Sequence, residues 1–272
     1  MSRWSLLAAL ALLAAGCVPR RAPPPDLSRD PQELLQAVRA SQDRIKTVQG
    51  SARVHLDSPR LKVPGGLQEF VAAEKPDRLH LETLDFFGDV ASVLVASGGR
   101  FGLYDAKEHV LYRGAATPEN VSRFLPVVLP IEELVTVLCG SAPLLPGRAV
   151  AAEPGDGVLL LTLAAGPVGQ QLAVGELASV SWSRVRRLTR DAAGREAQDA
   201  PAYDLELNLR RHRAGVVFPH ELKLVAPSAR STVELTWGDD LVVNGRIDPR
   251  LFEIKAPAGA RVVELDAGQE QR

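Results

Sequence analysis

Gly50-Ser51-Ala52-Arg53-Val54-His55-Leu56-Asp57 is where the apolar period of the chain changes. Before Gly50, Leu34, Leu35, Val38, Ile45 and Val48 recur at helical spacing. After it, Ala52, Val54 and Leu56 alternate with Arg53, His55 and Asp57. A period of two puts successive side chains on opposite faces of a pleated strand, one apolar and one polar. The period returns downstream, where Leu79, Leu81 and Thr83 alternate with His80 and Glu82, and 90–96 is more fully apolar. Lys75-Pro76-Asp77 and Ser97-Gly98-Gly99 supply turn chemistry between these runs, and further strands are expected at 100–105 and 110–112. Short strands at regular spacing predict an antiparallel meander, hence a large curved sheet or barrel.

Upstream, Asp30-Pro31-Gln32-Glu33 opens a helix, with Asp30 as N-cap and Pro31 at the first helical position. The helical period runs to about Thr47. Segment 17–30 carries Pro19, Pro23, Pro24 and Pro25 among charges and reads as an extended tether. Two helices interrupt the meander. Thr117 caps a short one through Phe124, and a second, apolar one covers 131–139. Apolar helices inserted in a sheet must bury a face, and the concave side is the surface available. Strands resume at 158–164, at 172–182 with a break at Gly175, and at 184–190 before the hairpin loop Asp191-Ala192-Ala193-Gly194-Arg195. Runs 203–210, 220–224, 231–235 and 241–244 complete the sheet. The fold class is mainly β with inserted helices, one domain over 31–266 and a tail at 267–272.

The N-terminus has Arg3, apolar residues 4–15, and Leu12-Leu13-Ala14-Ala15-Gly16-Cys17. This is the order of a secretory signal peptide, 1–16, with a small-residue cleavage site. Its apolar run is shorter than the ~20 residues that a spanning helix needs. The cysteine after the small residues resembles the lipobox of bacterial lipoproteins, with Ala14 in place of the usual leucine. That resemblance implies cleavage before Cys17, diacylglycerol on its thiol, and an acylated new N-terminus. Several acyl chains hold firmly where one alone is marginal. The alternative is an ordinary signal peptide with an incidental cysteine. If Cys17 is acylated, Cys139 has no disulfide partner within the chain and reads as a buried, inert thiol.

Net charge is −1 over 272 residues, and 24% of them are charged, so nothing points to nucleic acid. His55, His80, His109, His212 and His220 stand on polar strand faces or near turns, without metal-motif spacing. Hydrolase, metalloprotease and phosphate-loop motifs are missing, so no catalytic residue, metal or cofactor is assigned and an enzyme is disfavoured. Asp239-Asp240 after Gly238 reads as a solvated turn. Arg184, Arg186, Arg187 and Arg190 split between the faces of a strand, as a charged sheet surface or a lipid head-group site.

Four segments carry a family resemblance. Arg44-Ile45-Lys46-Thr47-Val48-Gln49-Gly50 leads into a strand, and Glu74-Lys75-Pro76-Asp77-Arg78-Leu79 forms a hairpin. Gly99-Arg100-Phe101-Gly102-Leu103-Tyr104-Asp105 follows, and Ile247-Asp248-Pro249-Arg250-Leu251-Phe252-Glu253-Ile254 closes the chain with Pro257 and Gly259. In order and spacing they resemble the LolA/LolB-like lipoprotein-localisation superfamily. The resemblance implies a half-open barrel of eleven antiparallel strands, closed by short helices, whose apolar concave face holds acyl chains. A cavity filled by the protein's own leucine and valine side chains is the alternative.

Leu84-Asp85-Phe86-Phe87-Gly88 lies between two strands, where turn residues are ordinarily polar. In the LolB-like branch the corresponding loop protrudes with an exposed apolar side chain that helps deliver lipoprotein to the membrane. Phe86 and Phe87 fall on that position, and the alternative is that they fold back and plug the barrel end. The implied partners are acyl chains of lipoproteins or lipids, the membrane through a lipidated Cys17, and a periplasmic carrier protein. The implied location is the outer membrane facing the periplasm, since Val18 follows the cysteine where an aspartate would retain the protein at the inner membrane. The function expected is acyl-chain binding and lipoprotein or lipid delivery. The alternative is a non-transporting envelope lipoprotein that uses the same fold as sensor or complex scaffold.

Overall fold

The computed structural model describes residues 21–59, 66–190 and 196–266. The signal peptide, Cys17, the hairpin loop 191–195 and the tail lie outside them.

Asp30 starts helix α1, Pro31–Asp43, by accepting the N–H groups of Gln32 and Glu33. Leu34, Leu35 and Val38 form its buried stripe. The helix stops at Asp43, short of the expected Thr47. The reason lies two hundred residues away in sequence. Asn244 accepts the Lys46 N–H at 2.8 Å and donates to the Arg44 carbonyl at 2.8 Å, so groups that a continuing helix would pair internally are satisfied sideways. Ile45 and Val48 are buried as the lead into the sheet.

Strands β1 Thr47–Asp57, β2 Leu67–Glu74, β3 Arg78–Leu84, β4 Val90–Ser97, β5 Arg100–Asp105 and β6 Val110–Ala115 follow as hairpins. Helices α2 Pro118–Val121 and α3 Ile131–Leu138 interrupt them. The meander continues through β7 Arg148–Pro154, β8 Leu159–Ala165, β9 Val168–Val174, β10 Val180–Arg190 and β11 Glu196–Asn208. Then come β12 Arg211–Arg213, β13 Val216–Phe218, β14 Glu221–Ala226, β15 Ser231–Trp237, β16 Val242–Val243 and β17 Arg261–Glu264. The main sheet runs β17-β6-β5-β4-β3-β2-β1-β15-β14-β11-β10-β9-β8-β7, with β16 also on β1. Among the described residues its fifteen strands exceed the eleven expected, and short β16 and β17 account for part of the excess. Among the described residues every pairing is antiparallel except β17 on β6. The edges β17 and β7 do not pair, so the sheet curls without closing. β12 and β13 form a separate ribbon.

The break expected at Gly175 is present, and two further sequence expectations need correction. The run 172–182 is two strands: Gly175 donates to the Ser179 carbonyl at 2.8 Å around a 3-10 turn, Glu176–Ala178, that reverses the chain. The turn requires positive φ at Leu177 and Ala178, 54° and 55°. The helix from Thr117 ends at Val121 rather than Phe124, although Thr117 caps it by accepting the Asn120 N–H. His80 is buried rather than solvated, because the 3-10 turn Pro249–Phe252 crosses the convex face above it and the Leu251 carbonyl meets its Nδ1 at 2.8 Å. That crossing also buries Ala72 with Ile247 and Phe252.

The main core lies on the concave side. α1 rests on β7 and β8, where Gln32 Nε2 donates to the Ala149 carbonyl at 2.9 Å. α3 rests on β2 and β3 and buries Ile131, Val135, Val137 and Leu138. Between α2 and α3 the chain crosses the concavity, held where the Phe124 ring meets Tyr112 at 5.1 Å and Phe101 at 6.1 Å. The Pro-rich segment is described from Arg21, whose N–H donates to Asp156 at 2.8 Å, and Leu27 packs against the core.

Candidate functional site

The strand alternation read from Gly50 onward points one apolar series inward, and over part of the sheet that series stands clear of the helices. Val54 and Leu56 of β1, Leu67 and Val71 of β2, Leu81 of β3 and Leu94 of β4 form one wall. Leu222 and Leu224 of β14 with Val233 and Leu235 of β15 continue it. The cover is Phe124, Leu125, Pro126 and Val127 of the crossing segment and Leu134, Val137 and Leu138 of α3. They enclose about 340 Å³. Small-molecule sites span about 300–1,000 Å³ and are mostly apolar with a few polar groups, so this space is of binding-site size.

Burial along the strands shows where it opens. β3 is buried at Leu79 and partly exposed from Leu81 to Leu84, while β4 is partly exposed at Ser92 and buried from Leu94 to Ala96. Both therefore open toward the turn that joins them. That turn carries Phe86 and Phe87, 96% and 86% exposed. The aromatics project from the sheet rather than folding into its end. Asp85 builds the turn: its Oδ1 accepts the N–H groups of Phe87 at 2.8 Å and Asp89 at 3.0 Å, and Gly88 takes φ 88°. The two rings meet edge to face at 5.6 Å. Val90 after the turn is also exposed. Exposed apolar side chains gathered on one rim are a surface that water solvates poorly.

One group in the wall was not singled out from sequence. Glu69 lines the cavity among leucines and valines and is 9% exposed. Thr83 donates its hydroxyl to Oε1 at 2.8 Å, while buried Oε2 has no partner among the described residues. Burial raises its carboxyl to about 7, against the smaller opposing effect of the Thr83 bond. A charged residue in the inward series of an apolar strand was the signal present in the sequence.

The other candidates are placed as follows. Cys139 is buried, and desolvation pushes its thiol up to about 12, so it holds its proton. Arg184 stacks on Trp182 at 4.5 Å and Arg186 pairs with Asp204, which places these arginines in a charged sheet surface. Asp240 accepts the Ser51 N–H and hydroxyl and sits in the expected turn. Among the described residues no group of three or more His, Cys, Asp and Glu is placed to hold a metal, and no helix is long and apolar enough to cross a membrane.

No protein-family model matches the sequence, and no curated protein matches it. Solved structures do. A DUF1329 family protein from Desulfovibrio piger superposes with a TM-score of 0.56 at 12% identity, over 83% of this chain and 98% of that one. A Vibrio parahaemolyticus domain described as outer membrane lipoprotein-sorting gives 0.54 at 12% identity, over 80% and 94%. A LolA superfamily protein from Nitrosomonas europaea gives 0.51 at 11% identity, over 82% and 97%. At such identities the likeness is one of fold. The chain is LolA/LolB-like in fold: a large antiparallel sheet, half open, with short helices on its concave side.

Proposed function

We propose that this protein is a lipid-anchored component of a bacterial envelope that takes an acyl chain into the concave cavity and assists delivery of lipoprotein or lipid to the outer membrane. The observation that carries the reading is the 340 Å³ apolar space, which opens toward a turn bearing two exposed phenylalanines. Each methylene moved from water into such a space contributes about 0.8 kcal/mol, so acyl chains are held by length and not by charge. Phe86 and Phe87 dip into the bilayer interface and bring the mouth to the acyl region, where cargo crosses without passing through water. Acylated Cys17 fixes the protein to the outer membrane, facing the periplasm, and the tether from Val18 gives the mouth its reach. Cargo arrives from a periplasmic carrier protein. The fold shared with a domain described as outer membrane lipoprotein-sorting supports this reading.

Purification without detergent followed by native mass spectrometry tests it. Co-purifying lipid, or stoichiometric uptake of an acylated peptide, is expected. Failure of both refutes the carrier and leaves the same fold acting as an envelope sensor or scaffold.

A further inference from the structure

Glu69 stands in a cross-strand row, Ala52–Glu69–Thr83–Ser92, over β1, β2, β3 and β4. Paired positions on adjacent strands present their side chains to one face, so three polar residues lie side by side in an apolar wall. The row crosses β3 and β4 close to the Phe86–Phe87 turn, while Val71 and Leu94 lie deeper. Thr83 occupies Oε1, and Oε2 is buried without a partner among the described residues. Leaving such an oxygen unpaired costs about 1–3 kcal/mol, and leucine at this position would avoid the cost. The Thr83 bond is the carboxyl's one visible contribution to the fold among the described residues, and it leaves Oε2 unaccounted for, which directs attention to a ligand.

The chemistry of that ligand follows from the surroundings. Among the described residues no cation lines the cavity from the strands, α3 or the crossing segment, and Glu69 is the one titratable side chain of that lining. The charged neighbours Arg53 and Glu82 occupy outward positions of β1 and β3. An ionised carboxylate there has no counter-charge, whereas a neutral acid presents an O–H at Oε2 and needs an acceptor. An acyl group carries its acceptor, the carbonyl oxygen, at the head of the chain.

We propose that Glu69 is the polar contact for the carbonyl of an acyl lipid, donating one hydrogen bond from Oε2 while the hydrocarbon chain occupies the cavity below. The assignment rests on the acyl-carrier reading and extends it. It sets the ligand's direction, with carbonyl at the mouth and methyl end inward, and selects acyl groups over bare hydrocarbon.

The test uses the full-length protein and displacement of the apolar fluorophore N-phenyl-1-naphthylamine by methyl decanoate or by dodecane. Glu69→Leu is expected to weaken methyl decanoate about three- to tenfold, the worth of one neutral hydrogen bond, and to leave dodecane unchanged or tighter. Glu69→Gln keeps an N–H donor and stays within about twofold of wild type. Raising the pH from about 6 to about 8 ionises Glu69, so it weakens methyl decanoate binding to wild type and leaves Glu69→Gln flat. Glu69→Leu binding both ligands as wild type does, or losing both equally, overturns the assignment. If Glu69→Leu does not fold, the pH profile decides: a fall in Glu69→Gln as steep as in wild type overturns it. Wild type that binds neither the fluorophore nor either ligand refutes the carrier reading itself, a distinct outcome.

Discussion

Replacing Phe86 and Phe87 together by serine removes the exposed aromatic pair and leaves the rest of the turn intact. The two side chains are 96% and 86% exposed, and the bonds that shape the turn come from the Asp85 carboxylate and backbone groups. Exposed positions without partners tolerate substitution within about 0.5 kcal/mol, so the thermal midpoint is expected to stay put. The edge-to-face contact at 5.6 Å adds at most about 1 kcal/mol between two solvated rings. Membrane affinity is where the loss falls. Moving a phenylalanine fully out of water contributes about 1.5–3 kcal/mol, so the pair contributes about 3–6 kcal/mol. Insertion to half depth still leaves about 1.5–3 kcal/mol, roughly a 10- to 150-fold drop in partition. The assay is co-sedimentation with phospholipid vesicles, on protein beginning at Arg21 so that an acylated Cys17 does not hold it regardless. Partition reduced less than about threefold, with an unchanged thermal midpoint, would refute the argument that these rings engage the bilayer.

Leu81→Trp places an indole in the cavity from a partly exposed wall position, and is expected to displace bound acyl chain while costing about 1–3 kcal/mol of stability. Native mass spectrometry of the detergent-free protein reads the lipid occupancy, and unchanged occupancy counts against this cavity. The carboxyl of Glu69 is raised to about 7 in the folded state, so between its unfolded value near 4.5 and 7 the folded protein binds more protons than the unfolded one. Stability is then fully present below about pH 4.5 and falls as pH rises through 7, by about 3 kcal/mol for this group, and Glu69→Gln flattens that part of the urea-denaturation profile. Cys139, buried and with its thiol held protonated, is expected to resist alkylation at neutral pH in the native protein and to react once urea unfolds it. Rapid native labelling would show that the concave core opens on its own.

Features determined by neighbours in sequence were legible, and features determined across the sheet were not. The alternation after Gly50 forecast β1 because its inward and outward faces meet different surroundings, core and water. Asp30 and Thr117 forecast their helices because a cap bonds within three residues. β2 gave no such signal. Its outward Phe70 and Ala72 lie under the C-terminal crossing and its inward series holds Glu69, so the polar-apolar contrast is scrambled on both faces. The cavity's polar contact was hidden for the same reason, since one glutamate in an apolar run gains meaning only when Thr83 is seen beside it. His80 looked solvated because the 3-10 turn that covers it begins at Pro249, far along the chain.

The unjoined edges of the sheet bear on what the protein can accommodate. In a closed barrel, strand number and shear fix the radius, and widening it breaks a backbone ladder. Here β7 and β17 end the sheet without a shared ladder, so its curvature can relax or tighten while every interstrand hydrogen bond survives. Capacity is then governed by the side chains of α3 and the crossing segment, which cover the sheet there. For the proposed carrier, the unjoined seam means that cargo of different girth costs side-chain repacking rather than strand separation.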